Sequence, residues 1–268
     1  MPTERRLAVV TGASSGIGRA FAEQLAALGH DLVIVARSRE RLEALAVELG
    51  ERNGSEVQIF VADLNNDKSV TDLAGLLHSR VPDLLVNSAG FGAFGRFEEL
   101  DLDRQVELLR VNVQALVCLT YACLPGMLKR GSGAVVNVSS LAGEAPIAYN
   151  AIYGASKSCV TSFSRALYEE LRDTAITVQC LLPGLTATPW AEAAGVDTAN
   201  VPRMAISDPD DVVRASLAAL RRGSAECVPG AANRILALVQ RTMPRLLSRT
   251  IASATRKNMP GRILRGPG

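Results

Sequence analysis

The sequence predicts an α/β protein: a doubly wound, mostly parallel sheet in three layers, forming one domain. Three observations predict it. Short apolar runs alternate with longer segments of helical periodicity from residue 7 to about residue 184. The short runs are apolar throughout, which is typical of parallel strands that helices cover on both faces. No linker or change of composition divides the 268 residues, so a single domain over 1–268 is expected.

Six strands and five helices follow one another in this alternation. Each predicted strand is a short run rich in Val, Ile, Leu or Phe, and each predicted helix repeats apolar residues every three or four positions. A proline within the longest helix, Pro125, predicts a bend there. The predicted strands are 7–12, 31–37, 56–63, 82–90, 133–140 and 176–184, and the predicted helices are 16–29, 38–52, 67–80, 101–130 and 153–172.

Charge and composition argue against several functional classes. The formal net charge of +2 gives no reason to expect a nucleic-acid partner. His30 and His78 are far apart and the chain has no C-x-x-C, so no metal site is predicted. No secretory leader and no uninterrupted apolar run of membrane-spanning length are recognisable, so a cytoplasmic location is expected. The five cysteines, mostly in apolar runs, predict buried thiols in a reducing compartment: Cys118, Cys123, Cys159, Cys180 and Cys227.

A glycine-rich loop, TGASSGIG at 11–18, joins the first predicted strand to the first helix. Glycines let the backbone turn sharply and approach a ligand closely, and the helix behind them directs its free N–H groups at that ligand. This arrangement suits the pyrophosphate of a dinucleotide. Loop glycines alone are a weak signal, but their position in the first strand–helix connection strengthens it.

The end of the second strand indicates which dinucleotide is bound. An acidic residue there usually binds the ribose hydroxyls of NAD, but this chain has Ala36, Arg37, Ser38 and Arg39. A guanidinium without a carboxylate favours a ribose 2′-phosphate, and therefore NADP over NAD. NAD is kept as the alternative cofactor. In that case Arg37 and Arg39 would form a solvated cap of the next helix and would not bind the cofactor.

Several short motifs occur in a fixed order along the chain: the glycine loop, NSAG at 87–90, VNV at 111–113, NVSS at 137–140, YGASK at 153–157 and PGLTAT at 183–188. Together they resemble the short-chain dehydrogenase/reductase family over about residues 5–190. The resemblance implies a Rossmann fold and an oxidoreductase that transfers a hydride between a nicotinamide cofactor and a carbonyl or alcohol substrate.

The resemblance also implies the cofactor contacts. The glycine loop would bind the pyrophosphate, Asp63 with its neighbour Leu64 would bind the adenine, and the segment after the sixth strand would bind the nicotinamide. The chain departs from the family's NNAG motif at Ser88, which stands where a second Asn is usual. Together with Arg37, the cofactor residues are Gly12, Ser14, Ser15, Gly16, Ile17, Gly18, Asp63, Leu64, Asn87, Ala89, Gly90, Tyr153, Lys157, Pro183, Gly184, Thr186 and Thr188.

Four catalytic residues follow from the same resemblance: Asn112, Ser140, Tyr153 and Lys157. Tyr153 would exchange a proton with the substrate oxygen, Ser140 would polarise that oxygen, and Asn112 would hold a water near Lys157. Residues at i and i+4 leave the same face of a helix. A nearby ammonium favours the phenolate, so we expect Lys157 to lower the pKa of Tyr153 from its ordinary value of about 10.

Two neighbours of these residues provide comparisons. Ser139 is the alternative to Ser140 as the catalytic serine. Tyr149 lies one helical turn before Tyr153, but no lysine stands four residues after it, so it is interpreted as a pocket wall or a packed aromatic residue.

The segment 185–205 is rich in small residues and contains Trp190, the chain's one tryptophan. It follows the sixth strand, where sheets of this kind place the ligand crevice, so it is interpreted as a mobile lid, with an inert surface loop as the alternative. The segments near 91–97, 141–150 and 185–205 would form the substrate pocket. Their aromatic and aliphatic residues predict a hydrophobic substrate, such as a ketone, a 3-oxoacyl compound or a steroid.

The chain ends in a basic amphipathic extension near 231–257. It would dock on its own protein or a partner, lie on a membrane surface, or close over an apolar substrate. The helices 102–130 and 153–172 carry apolar residues on more than one face, which predicts a homodimer or homotetramer, with burial inside one chain as the alternative.

Three functional hypotheses remain from these observations. The first is an NADPH-linked carbonyl reductase or alcohol dehydrogenase. The second is a catalytically silent NAD(P)-binding regulatory or scaffold protein, against which the filled catalytic positions argue. The third is a sugar-nucleotide epimerase or dehydratase, which usually has another glycine spacing and a longer substrate domain than 268 residues allow.

Overall fold

The computed structural model describes residues 5–194 and 205–243 of the chain. Within them, seven strands form one sheet in which every pairing is parallel. The strands are β1 (Leu7–Thr11), β2 (Asp31–Ala36), β3 (Val57–Val61), β4 (Leu84–Asn87), β5 (Gly133–Val138), β6 (Ile176–Leu181) and β7 (Glu226–Cys227). Their order across the sheet is β3-β2-β1-β4-β5-β6-β7.

Helices cover both faces of the sheet. The α-helices are α1 (Gly16–Ala27), α2 (Arg39–Asn53), α3 (Asp67–Ser79), α4 (Leu102–Leu109), α5 (Leu116–Arg130), α6 (Ala151–Glu170), α7 (Trp190–Ala193), α8 (Pro209–Leu220) and α9 (Ala231–Thr242). A π-helical segment, Arg110–Ala115, joins α4 to α5, and short 3₁₀ turns lie at Phe97–Glu99 and Leu141–Gly143.

Successive residues of each strand pack against opposite layers, because side chains alternate across a sheet. On one face, Val10 of β1 belongs to a buried cluster with Phe21 of α1 and Val213 of α8. On the other face, Val9 belongs to a cluster with Leu73 of α3 and Leu119 of α5. The result is the predicted three-layer arrangement, and the predicted fold class is confirmed.

The topology places a crevice at the carboxyl ends of β1 and β4. β1 pairs with β2 on one side and with β4 on the other, so the order of the strands reverses at this point. The connections leaving these two strands diverge there, and the crevice between them is where open parallel sheets bind ligands. The glycine loop follows β1 and the NSAG motif follows β4, so both reach this crevice.

The longest helical segment differs from the expected one. α5 continues through Pro125, where the expected bend stays a prediction, and the irregular segment is the π-helix that contains Asn112. By length and composition, Leu102–Arg130 is the one described helix that could span a bilayer, with a mean hydropathy of 1.5. Of the window with that hydropathy, 39% is buried, and Cys123 and Met127 of α5 are fully buried against the sheet and α3.

Two elements in the second half of the chain, β7 and α8, were not predicted. β7 and α8 both lie in the region 206–230, to which no element was assigned. The prediction that the cysteines are buried is right for Cys123, Cys180 and Cys227, whereas Cys118 is half-buried and Cys159, on α6, is exposed.

The two outlying segments are described in part. Of the expected lid at 185–205, residues 195–204 lie outside the described residues. Of the expected C-terminal extension at 231–257, α9 forms the first part, and residues 244–257 also lie outside them.

Candidate active site

The glycine loop fits closely against two other predicted motifs. Gly12 has φ +70°, and a Cβ there would lie 2.9 Å from the Cα of Ala89 in NSAG. Gly16 has φ +56°, and its Cβ would lie 2.9 Å from Cγ2 of Thr188 in PGLTAT. A Cβ at Gly18 would overlap the carbonyl group of Gly12. The loop is therefore a cradle that any side chain would fill, and it brings three sequence motifs together.

The N-terminus of α1 opens into this cradle. Ser15 occupies the N-cap in an extended conformation, and its side chain makes no capping hydrogen bond. The first turn of α1 contains no acidic residue. Its backbone N–H groups are thus available to an external anion, and this is the arrangement by which helix N-termini bind a pyrophosphate. Ser14 and Ile17 lie half-buried in the same loop.

Sequence reasoning overlooked Thr11, which holds the cradle in place. Its hydroxyl oxygen accepts hydrogen bonds from the backbone N–H groups of Ser88 (3.0 Å) and Ala89 (3.1 Å). This threonine ends β1 and immediately precedes Gly12. Its position as the first residue of the TGASSGIG loop was the signal that could have identified it.

Asn87 lies in the interior beside the cradle. Its side-chain amide donates hydrogen bonds to Oγ1 of Thr120 (3.0 Å) and to Oδ1 of Asn137 (2.9 Å). Asn137 in turn donates to Oγ of Ser164 (3.0 Å). These bonds tie β4 and β5 to α5 and α6 at the edge of the crevice. The predicted contact of Asn87 with the cofactor stays a prediction.

The predicted adenine-side residues lie at the ends of β2 and β3, two neighbouring strands. Arg37 and Asp63 are both exposed there, whereas Leu64 is buried in the core cluster that contains Leu73. Arg39 forms an exposed ion pair with Glu43 of its own helix (3.7 Å). Within the described residues no carboxylate lies within 4.0 Å of the Arg37 guanidinium. Arg37 therefore remains open to an external anion, while Arg39 is a helix-surface residue.

The π-helical segment presents Asn112 to the crevice. The side chain of Asn112 accepts a hydrogen bond from the backbone N–H of Phe91 (3.1 Å) and donates one to the Phe91 carbonyl (3.0 Å). It also donates to Oγ of Ser156 on α6 (3.2 Å). A Cβ at Gly90 would lie 3.0 Å from its Oδ1. Asn112 thus fastens the segment after NSAG to the catalytic helix.

Ser140, Tyr153 and Lys157 come together where β5 meets the start of α6. Tyr153 is 7% exposed and Lys157 is 6% exposed. The side chain of Ser140 interacts with the hydroxyl of Tyr153 and favours its phenolate form. The ammonium of Lys157 donates to the carbonyl of Val138 (2.8 Å) and lies 5.8 Å from the centre of the Tyr153 ring. By contrast, Ser139 donates to the backbone carbonyl of Lys157, away from Tyr153.

Burial dominates the protonation of this group. It raises the pKa of Tyr153 to about 12, and the interaction with the Ser140 side chain opposes that rise. Burial also lowers the pKa of Lys157 to about 8. In the cofactor-free protein the pKa of Tyr153 is therefore raised rather than lowered, because loss of solvation dominates. The lowering effect expected from Lys157 stays a prediction. Tyr153 holds its proton and is prepared to act as an acid.

Aromatic side chains form the roof of the site. The ring of Trp190 lies 4.9 Å from the ring of Tyr153, at 45°. Gly92 lies beneath this indole, and a Cβ there would be 2.7 Å from it. Tyr149, the comparison residue, has φ +64°, and its ring faces that of Phe94 with 6.4 Å between the ring centres. Its role as a pocket wall or a packed aromatic residue stays a prediction. An apolar cluster around Tyr153 completes the wall with Phe91, Leu108, Ala142, Ile147 and Ile152.

The PGLTAT segment lies on the opposite side of the crevice. The carbonyl of Pro183 accepts a hydrogen bond from the backbone N–H of Leu141 (3.0 Å). Thr186 is 8% exposed, donates to the carbonyl of Gly184 (3.0 Å) and pairs with Ser207. Thr188 alone of the two threonines points at the glycine loop. The described start of the expected lid is therefore anchored to the body of the domain.

The tyrosine–lysine pair and the glycine cradle meet at one edge of a parallel sheet, a combination that defines an NAD(P)-dependent oxidoreductase. The sequence profile of the family described as short chain dehydrogenase matches residues 6–198. The chain belongs to the short-chain dehydrogenase/reductase family, and the predicted family and class of enzyme are confirmed.

Relatives and solved structures agree with this assignment. The very-long-chain 3-oxoacyl-CoA reductase of Anas platyrhynchos is 33% identical over 232 residues, covering 84% of this chain and 72% of that protein. The structure of a short-chain dehydrogenase from Sphingobium yanoikuyae in complex with NADPH has a TM-score of 0.81 at 32% identity, covering 95% and 96%. A bulky-bulky ketone specific alcohol dehydrogenase from Comamonas testosteroni has a TM-score of 0.78 at 30% identity, covering 96% of both chains.

Proposed function

We propose that this protein is an NADPH-dependent carbonyl reductase or alcohol dehydrogenase that acts on an apolar ketone or the matching alcohol. The observation that carries the proposal is the buried Tyr153. Its hydroxyl interacts with the side chain of Ser140, it lies near the Lys157 ammonium, and the indole of Trp190 covers it.

The arrangement supports a specific division of roles. The nicotinamide supplies the hydride when the cofactor is bound. Ser140 donates a hydrogen bond to the carbonyl oxygen and polarises it, while Tyr153 delivers its proton to the same oxygen. Lys157 then stabilises the phenolate that Tyr153 becomes, because the two charges are opposite and buried. In the oxidative direction the proton travels back from the alcohol to Tyr153.

NADPH is the proposed cofactor, with NAD as the alternative. Arg37 stands at the end of β2, where NAD-binding sheets of this kind usually carry a carboxylate. It is exposed and free of ion pairs among the described residues, so it suits a 2′-phosphate. The related dehydrogenase from Sphingobium yanoikuyae, whose structure was solved in complex with NADPH, supports this choice.

The proposed substrate class is a ketone with bulky apolar substituents, including 3-oxoacyl and steroid-like compounds. The walls around Tyr153 support it, because they consist of Phe91, Ile147, Ile152 and Trp190. The names of two similar proteins also support this substrate class. One is a very-long-chain 3-oxoacyl-CoA reductase, and the other is an alcohol dehydrogenase specific for bulky-bulky ketones.

The catalytic proposal is tested with Tyr153→Phe. This substitution removes the proton donor and keeps the ring, so we expect turnover to fall by about a hundredfold to ten-thousandfold, with NADPH affinity changed less than about twofold. Loss of reduced-cofactor absorbance, recorded against a panel of linear, cyclic and polycyclic ketones, measures turnover. Tyr149→Phe is the matched control and is expected to keep its activity.

The result that contradicts the proposal is full turnover in Tyr153→Phe. A wild-type protein that binds NADPH but reduces none of the panel, and oxidises none of the corresponding alcohols, would instead favour the catalytically silent scaffold.

The cofactor proposal is tested with Arg37→Asp. The carboxylate repels a 2′-phosphate and accepts hydrogen bonds from ribose hydroxyls, so we expect the ratio of kcat/KM for NADPH over NADH to fall by at least about tenfold. Arg39→Asp serves as the control, because Arg39 pairs with Glu43 on the helix surface. A ratio unchanged by Arg37→Asp removes Arg37 from the cofactor site.

A further inference from the structure

Four charged side chains meet beside the catalytic serine, and we call them the four-charge cluster: Glu144, Arg165, Glu226 and Arg241. Arg165 on α6 donates to Glu144 (2.6 Å) and to Glu226 (2.6 Å). Arg241 on α9 donates to the same two carboxylates, each at 2.5 Å. Two positive and two negative charges are therefore fully matched, across elements that are far apart in the sequence.

Glu144 is the buried centre of this cluster. Its side chain is 1% exposed, whereas those of Arg165 and Arg241 are about two fifths exposed, at 41% and 39%. Each of its carboxylate oxygens receives one arginine: Oε1 binds Arg165 and Oε2 binds Arg241. A buried carboxylate is stable only when its oxygens are paired. The position of Glu144 is thus fixed from α6 on one side and from α9 on the other.

The segment that ends in Glu144 begins at the catalytic serine. Ser140 starts the 3₁₀ turn Leu141–Gly143, and its hydroxyl oxygen accepts a hydrogen bond from the N–H of Ala142 (3.1 Å). Gly143 packs so closely against α6 that a Cβ there would lie 2.7 Å from the backbone of Lys157. Leu141 packs against Ala237 of α9 in a small apolar cluster. The turn is therefore enclosed between α6 and α9.

A second contact joins α9 to the crevice. The side chain of Asn233 lies against Gly184 of PGLTAT. A Cβ on Gly184 would be within 2.8 Å of the Asn233 side-chain amide. Its amide donates to the carbonyl of Pro229 (2.8 Å), which fixes its orientation. Two segments at the reacting end of the site, the Ser140 turn and PGLTAT, thus rest on one helix.

We infer that α9 positions the catalytic serine, and that Arg241 does so through Glu144. This inference rests on the proposed function, because it gives Ser140 a role in the reaction. Arg241 and Glu144 touch no reacting atom in this scheme. They are positioning residues, which hold the Ser140 hydroxyl at the angle from which it shares the substrate oxygen with Tyr153.

The main test replaces Arg241 by Gln. Arg241 is partly exposed, so the variant is expected to fold. We expect kcat to fall by about tenfold to a hundredfold, because small misplacements of reacting groups cost that much, while KM for the ketone and the Kd for NADPH change less than about threefold. Arg241→Lys keeps the charge and is expected to recover most of kcat. The control is Arg172→Gln, which breaks the exposed ion pair between Arg172 and Glu169.

Glu144→Gln provides the coupling measurement. If Arg241 acts through Glu144, each single substitution lowers kcat and the double variant lowers it no further than the worse of the two. Independent losses that multiply in the double variant would overturn the inference.

Hydrogen exchange tests the inference without using activity. Backbone amides of residues 139–149, followed by mass spectrometry, are expected to exchange at least about tenfold faster in Arg241→Gln than in the wild type and in Arg172→Gln. Unchanged exchange together with unchanged kcat overturns the inference. An inactive wild-type protein would overturn the proposed function, and faster exchange in Arg241→Gln would then still show that Arg241 holds the turn.

Discussion

Lys157 is an ammonium group that the fold keeps almost entirely out of water. The sequence predicts its partnership with Tyr153 through their four-residue spacing. Spacing carries no information on burial, however, and burial determines the net direction of both pKa shifts. The net pKa of Tyr153 is therefore raised in the cofactor-free protein, where a lowering was expected, whereas the grouping of Tyr153, Lys157 and Ser140 is what the structure shows.

The buried lysine makes the stability of the cofactor-free protein depend on pH. Burial lowers the pKa of Lys157 to about 8, below that of a lysine in an unfolded chain, about 10.4. Between these values the unfolded chain keeps a proton that the folded chain has released, so the free energy of unfolding rises with pH. We expect wild type to gain roughly 2 kcal/mol relative to Lys157→Met between about pH 8 and about pH 10.

Urea unfolding of both proteins across this range measures the gain. Lys129→Met, at the exposed end of α5, is the control and should follow the wild-type profile. Parallel profiles for wild type and Lys157→Met would show that Lys157 titrates normally.

At the scale of elements, the six longer strands were predictable because each is a dense run of apolar residues. β7 has only two residues, too few for any periodicity. α8 did carry a start signal in the sequence that was overlooked: Asp208 caps it by accepting a hydrogen bond from the N–H of Asp210, and Pro209 occupies its first turn.

The π-helical segment shows what a linear pattern misses. Asn112 pairs with both the N–H and the carbonyl of Phe91, much as a neighbouring strand would. That pairing joins two segments 21 residues apart. The proline further along the helix was a local signal, and a proline is accommodated in α5 without ending it. The contact between Asn112 and Phe91 is non-local, so the helical periodicity of the sequence does not reveal it.

For the whole molecule, the order of motifs was enough to predict that they meet, because parallel strands bring their carboxyl ends to one edge of the sheet. The four-charge cluster was not predictable in the same way. Arg241 and Glu144 are 97 residues apart, and no motif connects them. Docking on its own protein was one of the outcomes expected for the amphipathic C-terminal extension. Its composition did not indicate, however, that the part formed by α9 would pack against the catalytic turn.

We predict that copies of the chain assemble through the outer face of α4 and α5. Tyr121 is 77% exposed on α5, and Leu102 and Leu128 are also exposed; exposed apolar side chains of this kind are expected at an interface. We expect the wild type to form a homodimer or homotetramer through this face. Tyr121→Arg is expected to lower the number of subunits in the assembly. Analytical ultracentrifugation measures the change. Leu28→Arg, on the end of α1, is the control at an exposed apolar site. A wild-type monomer, or an assembly that Tyr121→Arg leaves intact, contradicts this prediction.

The position of Trp190 has a practical consequence. The chain contains one tryptophan, and its ring lies 4.9 Å from that of Tyr153. Indole fluorescence from this protein is therefore emitted at the place where the reaction would occur. A ligand that displaces the ring, or a dihydronicotinamide that takes up its excitation energy, alters the emission spectrum directly. The unlabelled enzyme thus contains its own optical reporter, with which cofactor and ketone can each be titrated.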